Sequence, residues 1–171
     1  MIGSVLKLAT AMLVCCGSAA YGQEANWSGS HGSLHVGYDS FTGAGEWGGG
    51  IMGSAAFGYD FQAGKVVLGV EANFDLNSAS SGFTAAQYGY GGSARLGVPV
   101  SSNMLIYGRL GYQATAYNTP SFSDTEEGVR AGFGGEVAFS PNFALRTEFN
   151  LYDYGDGIRN TQAKFGGVFR F

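Results

Sequence analysis

His31, Ser33 and His35 stand at alternate positions of one short segment, and the two histidines are the only ones in the chain. On an extended strand such residues share a face. A serine beside a histidine is the beginning of a nucleophilic site, in which the imidazole takes the hydroxyl proton and a carboxylate orients the imidazole. The sequence fixes no carboxylate near them, so catalysis is the weaker reading. Two histidines also make a poor zinc site, because zinc takes three or four protein ligands. Gly89-x-Gly91-x-x-Ala94 loosely matches a dinucleotide fingerprint, but it lies inside a strand pattern with no helix after it. No catalytic, cofactor-binding or metal-binding residue is therefore assigned, and no cofactor is expected.

A second set of reactive side chains recurs with the same period of two. Glu71, Arg95, Arg109, Arg130, Glu136, Arg146, Glu148 and Lys164 each fall in mid-segment, opposite an apolar face. Glycines 69, 97, 111, 132, 134 and 166 lie on the same faces as these charges. Buried acids and bases can neutralise one another where water is scarce, and glycine leaves room for their long side chains. The expectation is a charge network with a slight basic lean.

The elements that position these residues are strands. Val66, Leu68, Val70, Ala72, Phe74 and Leu76 share one face, while Gly69, Glu71, Asn73 and Asp75 share the other. The same alternation runs through 104–117, 129–139, 143–154 and 163–171, and more weakly through 33–39, 51–61 and 87–100. That makes eight strands of about ten residues. Connections at 62–65, 101–103 and 140–142 are short and turn-like. Those at 40–50, 77–82, 118–126 and 155–160 are longer and rich in glycine and polar residues. Alternating short and long connections, with an even strand number, describe an all-β, eight-stranded antiparallel up-and-down transmembrane β-barrel with both termini on the periplasmic side. A soluble sandwich would show the same alternation with its faces reversed. The mid-strand charges argue for the membrane form, since eight strands enclose an interior that side chains just fill. So do Tyr38, Tyr59, Phe61, Phe74, Tyr88, Tyr112, Phe139, Phe169 and Phe171, which gather near strand ends on the apolar face.

Composition agrees. The chain has 30 glycines, 13 Phe and 10 Tyr in 171 residues, with 45% hydrophobic residues. Nine Lys and Arg against 13 Asp and Glu, without a basic run, exclude a nucleic-acid partner. Residues 1–22 read as a signal peptide: Lys7, an apolar stretch, then Ala20-Tyr21-Gly22 before a cleavage ahead of Gln23. Cys15 and Cys16 both lie inside it. Cys15 stands where a small residue is expected before an acylated cysteine, so lipidation is disfavoured. Residues 23–171 form the barrel domain and contain no cysteine.

Asn26-Trp27-Ser28-Gly29 followed by Leu34-His35-Val36-Gly37-Tyr38, then Gly48-Gly49-Gly50, Gly58-Tyr59-Asp60-Phe61 and Leu68-Gly69-Val70-Glu71-Ala72, form an ordered set. It resembles the outer-membrane β-barrel domain family of Gram-negative bacteria, the porin-family or opacity-like small barrels. The likeness spans nearly all of residues 23–171. It implies location in the cell outer membrane among outer-membrane lipid and lipopolysaccharide, and assembly by periplasmic chaperones and the barrel-assembly machinery. Phe165, Phe169 and the terminal Phe171 resemble the signal which that machinery reads. The function expected is a non-enzymatic contribution to envelope integrity, with loops exposed for adhesion or recognition. Glu46, Trp47, Asp124, Glu126, Asp156 and Arg159 would face outside. A narrow porin-like channel is the alternative, and a lipid-modifying enzyme resting on His31, Ser33 and His35 is less favoured.

Overall fold

A computed structural model describes residues 25–43, 46–78, 80–81, 84–118, 123–155 and 158–171. The signal-peptide segment lies outside these residues. Eight long strands follow one another: β1 Gly29–Gly43, β2 Glu46–Ala63, β3 Val66–Asn77, β4 Thr84–Ser101, β5 Met104–Asn118, β6 Ser123–Ser140, β7 Phe143–Gly155 and β8 Ile158–Arg170. A two-residue strand, Ser80–Ser81, pairs with Gly49 and with the start of β4. Each long strand is antiparallel to the next, and β1 pairs with β8 as well as β2, so the sheet closes on itself. No helix among the described residues is long and apolar enough to cross a membrane, which says nothing of strands.

The stagger of the wall can be followed along hydrogen-bonded partners. His31, Gly58, Glu71, Ser93, Gly111, Arg130, Tyr152 and Asn160 succeed one another, and the circuit returns to β1 at Phe41, ten residues beyond its start. With strands ~4.8 Å apart and a rise of ~3.3 Å per residue, that stagger tilts the strands by about 40°. Side chains distant in sequence thereby reach a common level inside.

At one end, two-residue turns at Gly64–Lys65, Ser102–Asn103 and Pro141–Asn142 join the strands. Gly64 takes φ +60°, the left-handed conformation that glycine adopts without a Cβ penalty. At the other end the expected loops are largely replaced by strand. β1 and β2 pair out to Gly43 and Glu46, and β5 and β6 out to Asn118 and Ser123. Strands of 12 to 18 residues exceed the ten anticipated. Backbone pairing continues because each hydrogen bond is satisfied locally, whatever the side chains. Glycine and polar residues hid this from the apolar period.

The faces are inverted relative to a water-soluble fold. Among the described residues, 23 polar or charged ones are buried against 12 hydrophobic ones, while Leu34, Phe57, Val70, Leu110 and Phe133 exceed 60% exposure. Only lipid makes that arrangement favourable. The nine aromatics named from the sequence all point outward, although in the longer strands Tyr38 and Tyr112 stand well inside β1 and β5, and Phe74 and Tyr88 stack at 6.1 Å.

Candidate functional site in the barrel lumen

Inward-facing positions carry two polar layers above an apolar plug. The plug lies at the turn end. Trp27, Val67, Leu105 and Tyr107 pack together there, with Trp27 only 1% exposed. The segment before β1 folds under the barrel, since Ala25 N–H donates to the Ser102 carbonyl at 2.7 Å and Trp27 N–H to Gln62 Oε1 at 3.1 Å. Arg170 covers the Trp27 ring at 4.8 Å, a cation–π contact across the β1–β8 seam.

Directly above lies an ion-pair lattice. Glu136 accepts from Arg95 at 2.6 Å and from Arg170 at 2.5 Å, and pairs with Arg146 at 2.8 Å. Arg146 also meets Glu71 at 2.5 Å. Arg109 links Glu71 at 2.9 Å to Glu148 at 2.6 Å, and Lys164 adds a contact to Glu148 at 3.1 Å. Arg95 further donates to Asp60, at 2.7 Å from Nε. Tyr107 donates to Glu148 at 2.6 Å, while Arg95 and Arg146 lie over its ring. His31 sits with Nδ1 3.4 Å from Asp60 and Nε2 3.2 Å from Glu71. Glycine makes the lattice possible. A Cβ on Gly134 would lie 2.6 Å from the Tyr107 hydroxyl and 2.7 Å from the Thr147 carbonyl.

The upper layer is built differently. Arg130 donates to Gln113 Oε1 at 3.0 Å and to Asn73 Oδ1 at 2.7 Å, and both amides donate in turn to Asp75 Oδ2. Tyr152 donates to Gln162 at 2.6 Å, and Gln162 to Asp39 at 3.4 Å. Arg130 has no ion pair within 4 Å among the described residues. Of the eight charges read from the sequence, the other seven are brought together in the lattice below it.

The eight charges named from the sequence leave out four members of this interior, all buried: Asp75 and Arg170, which stand on the polar faces of their segments, and Asp39 and Asp60, which are assigned to neither face. Their parity was legible, since each alternates with outward residues. With them the buried charges among the described residues number six acids and six bases, which corrects the expected basic lean. The histidine reading also changes. A carboxylate does face His31, but Ser33 Oγ and both ring nitrogens of His35 have no hydrogen-bond partner. A nucleophile bonded to its base is thus absent from this strand. No cluster of three or more His, Cys, Asp or Glu among the described residues could hold a metal ion.

A family model described as outer membrane protein beta-barrel domain matches residues 8–171. The chain belongs to that family. Members reside in the outer membrane. A 22 kDa outer membrane protein of Rhizobium leguminosarum bv. viciae is 32% identical over 112 residues, covering 61% of this chain and 53% of that protein. A 31 kDa outer-membrane immunogenic protein of Brucella melitensis biotype 1 is 29% identical over 133 residues, covering 63% and 55%. The chain spans about half the length of these curated relatives. Among solved structures, Neisserial surface protein A superposes with a TM-score of 0.66 at 17% identity, covering 84% of this chain and 98% of that one. Ail, the attachment invasion locus protein of Yersinia pestis, gives 0.58 at 15%, covering 84% and 99%. At such identity these two share the fold.

Proposed function

We propose that this protein is a non-conducting, non-enzymatic outer-membrane anchor that contributes to envelope integrity and holds its hairpins outside the cell. The observation that carries this reading is the closed lumen. An apolar plug at Trp27 and a lattice of buried ion pairs leave an interior filled by side chains, as eight strands dictate. The alternative, a narrow diffusion channel, would need that lattice to part. The lipid-modifying alternative finds no support in the unpartnered Ser33 and His35, which face the lumen and not lipid.

Recognition by the outer hairpins belongs to this reading, and their charge limits its partners. Glu46, Asp124, Glu126, Glu127, Asp153 and Asp156 occur in or beside these connections against Arg159 alone. Ail has been crystallised with a heparin analogue, sucrose octasulfate; the acidic rim here would repel such a polyanion and suits a cationic or neutral partner. Export by the signal peptide, chaperone escort and insertion by the barrel-assembly machinery through Phe165, Phe169 and Phe171 complete the proposal. These three phenylalanines point outward on β8 or just beyond it. A deletion strain tests it. We expect increased sensitivity to detergents with unchanged uptake of small hydrophilic solutes. Slower uptake with normal detergent resistance would favour the channel.

A further inference from the structure

The upper layer holds charge that its own side chains do not balance. Asp39 and Asp75 are both fully buried, yet neither has an ion pair within 4 Å among the described residues. Each keeps one carboxylate oxygen, Oδ1, without a hydrogen-bond partner. Arg130, the single base of the layer among the described residues, spends its Nη1 and Nη2 on Gln113 and Asn73. Two acids thus face one base here, whereas in the lattice below five bases face four acids. Neutral amide donors meet Oδ2 of each acid, Gln162 at Asp39 and Asn73 with Gln113 at Asp75, and a buried carboxylate without a cation beside it remains costly.

Two amides stand beside these acids with unused capacity. Asn160 is 2% exposed and its Oδ1 has no partner, and neither side-chain polar atom of Asn77 has one. The register gathers all four residues. Asn160 pairs with Phe41 across the seam, two positions from Asp39. Asn77 lies opposite Met52, which lies opposite Gly37, again two positions from Asp39. Asp75 precedes Asn77 on the same inward face of β3.

We propose that the outer mouth of the lumen binds a divalent hard cation, Ca²⁺ or Mg²⁺, between Asp39 and Asp75, with the amide oxygens of Asn77 and Asn160 and water completing its shell. Carboxylate, amide carbonyl and water are the ligands such ions take. An all-oxygen set disfavours the softer transition metals. The exposed acids Glu127 and Asp153 at the rim would concentrate cations at the entrance. The lattice and the Trp27 plug close the far side, so the ion enters and leaves from outside.

Terbium is a direct probe, because Tyr152 and Tyr154 stack at 6.1 Å on the same inward face and can sensitise its emission. The folded barrel in detergent micelles, titrated with Tb³⁺, should give saturable emission that CaCl₂ displaces. Asp39→Asn or Asp75→Asn should weaken Tb³⁺ binding by about tenfold or more, as loss of one ligand charge does. The rim variant Glu127→Gln/Asp153→Asn should bind within about threefold of wild type, since it alters only the distant field. Millimolar CaCl₂ should also raise the thermal midpoint over EDTA in wild type and not in Asp39→Asn. If Asp39→Asn does not fold, Asn160→Ala interrogates the same site with the charge intact. Absence of sensitised emission from wild type, or emission lost in the rim variant and kept in Asp39→Asn, would overturn the proposal.

Discussion

Glu136→Gln is the most informative single change to the lattice. The substitution keeps shape and one acceptor oxygen while removing the charge that meets Arg95 at 2.6 Å, Arg146 at 2.8 Å and Arg170 at 2.5 Å. At a charge separation of ~4 Å and an effective dielectric of ~20, each contact is worth roughly 4 kcal/mol before desolvation. Most of that is offset by the dehydration of both partners, and breaking one buried pair costs about 3–5 kcal/mol net. Three bases lose the same acid, so Glu136→Gln belongs at or above the top of that range. The balance of the layer points the same way. Arg95, Arg109, Arg146, Lys164 and Arg170 face Asp60, Glu71, Glu136 and Glu148. Losing an acid turns five against four into five against three. Losing a base, as in Lys164→Met, gives four against four, and Lys164 pairs with one acid, Glu148 at 3.1 Å, beside a 3.4 Å contact to the Ser54 hydroxyl. Lys164→Met should therefore cost less, about 1–3 kcal/mol. Urea unfolding of both variants in lipid vesicles, followed by tryptophan emission and by the mobility of unboiled samples, measures this order. A Glu136→Gln barrel within about 1 kcal/mol of wild type, or more stable than Lys164→Met, would refute the reasoning.

Other consequences follow from the plug, the glycines and the C-terminus. Trp27→Ala should cost about 3–5 kcal/mol in the same unfolding assay, because it empties a packed site and uncovers Arg170. Gly134→Val should prevent formation of the heat-modifiable barrel, since its Cβ would collide with Tyr107 and the Thr147 carbonyl; Gly53→Ala, with nothing within 4 Å, should form it normally. Phe171→Ala should leave the refolded barrel's unfolding midpoint unchanged, the residue being 79% exposed, while lowering the amount assembled in the outer membrane of cells. A loss of midpoint with normal assembly would make Phe171 a packing residue and no signal.

Much of the fold was legible because strand parity is written residue by residue. Val66 to Leu76 alternates cleanly, and that alternation sorts Glu71 inward and Val70 outward without reference to any other strand. The eight luminal charges followed from the same rule. Asp39, Asp60 and Asp75 obey it too, each following an outward aromatic (Tyr38, Tyr59 and Phe74); Asp75 shares the polar face of Glu71, while Asp39 and Asp60 fall in the segments where the alternation is weaker. The long hairpins were invisible for a related reason. Residues 43 and 46–48 carry no period of two, yet their backbone pairs because β1 and β2 are already aligned below them. Which charges touch could not be read at all. That depends on the ten-residue stagger around the wall, which brings Glu71 of β3 against Arg146 of β7 and leaves Arg130 among amides and the Tyr152 ring.

Planar-bilayer recording of the purified barrel tests the central claim most directly. A lumen closed by the Trp27 plug and the Glu136-centred lattice should give no conductance steps above background, at either polarity, once insertion has been verified by the heat-dependent mobility shift. Reproducible steps from verified wild-type barrels would contradict the account, because ions would then be crossing where the structure places interlocked arginine and glutamate side chains.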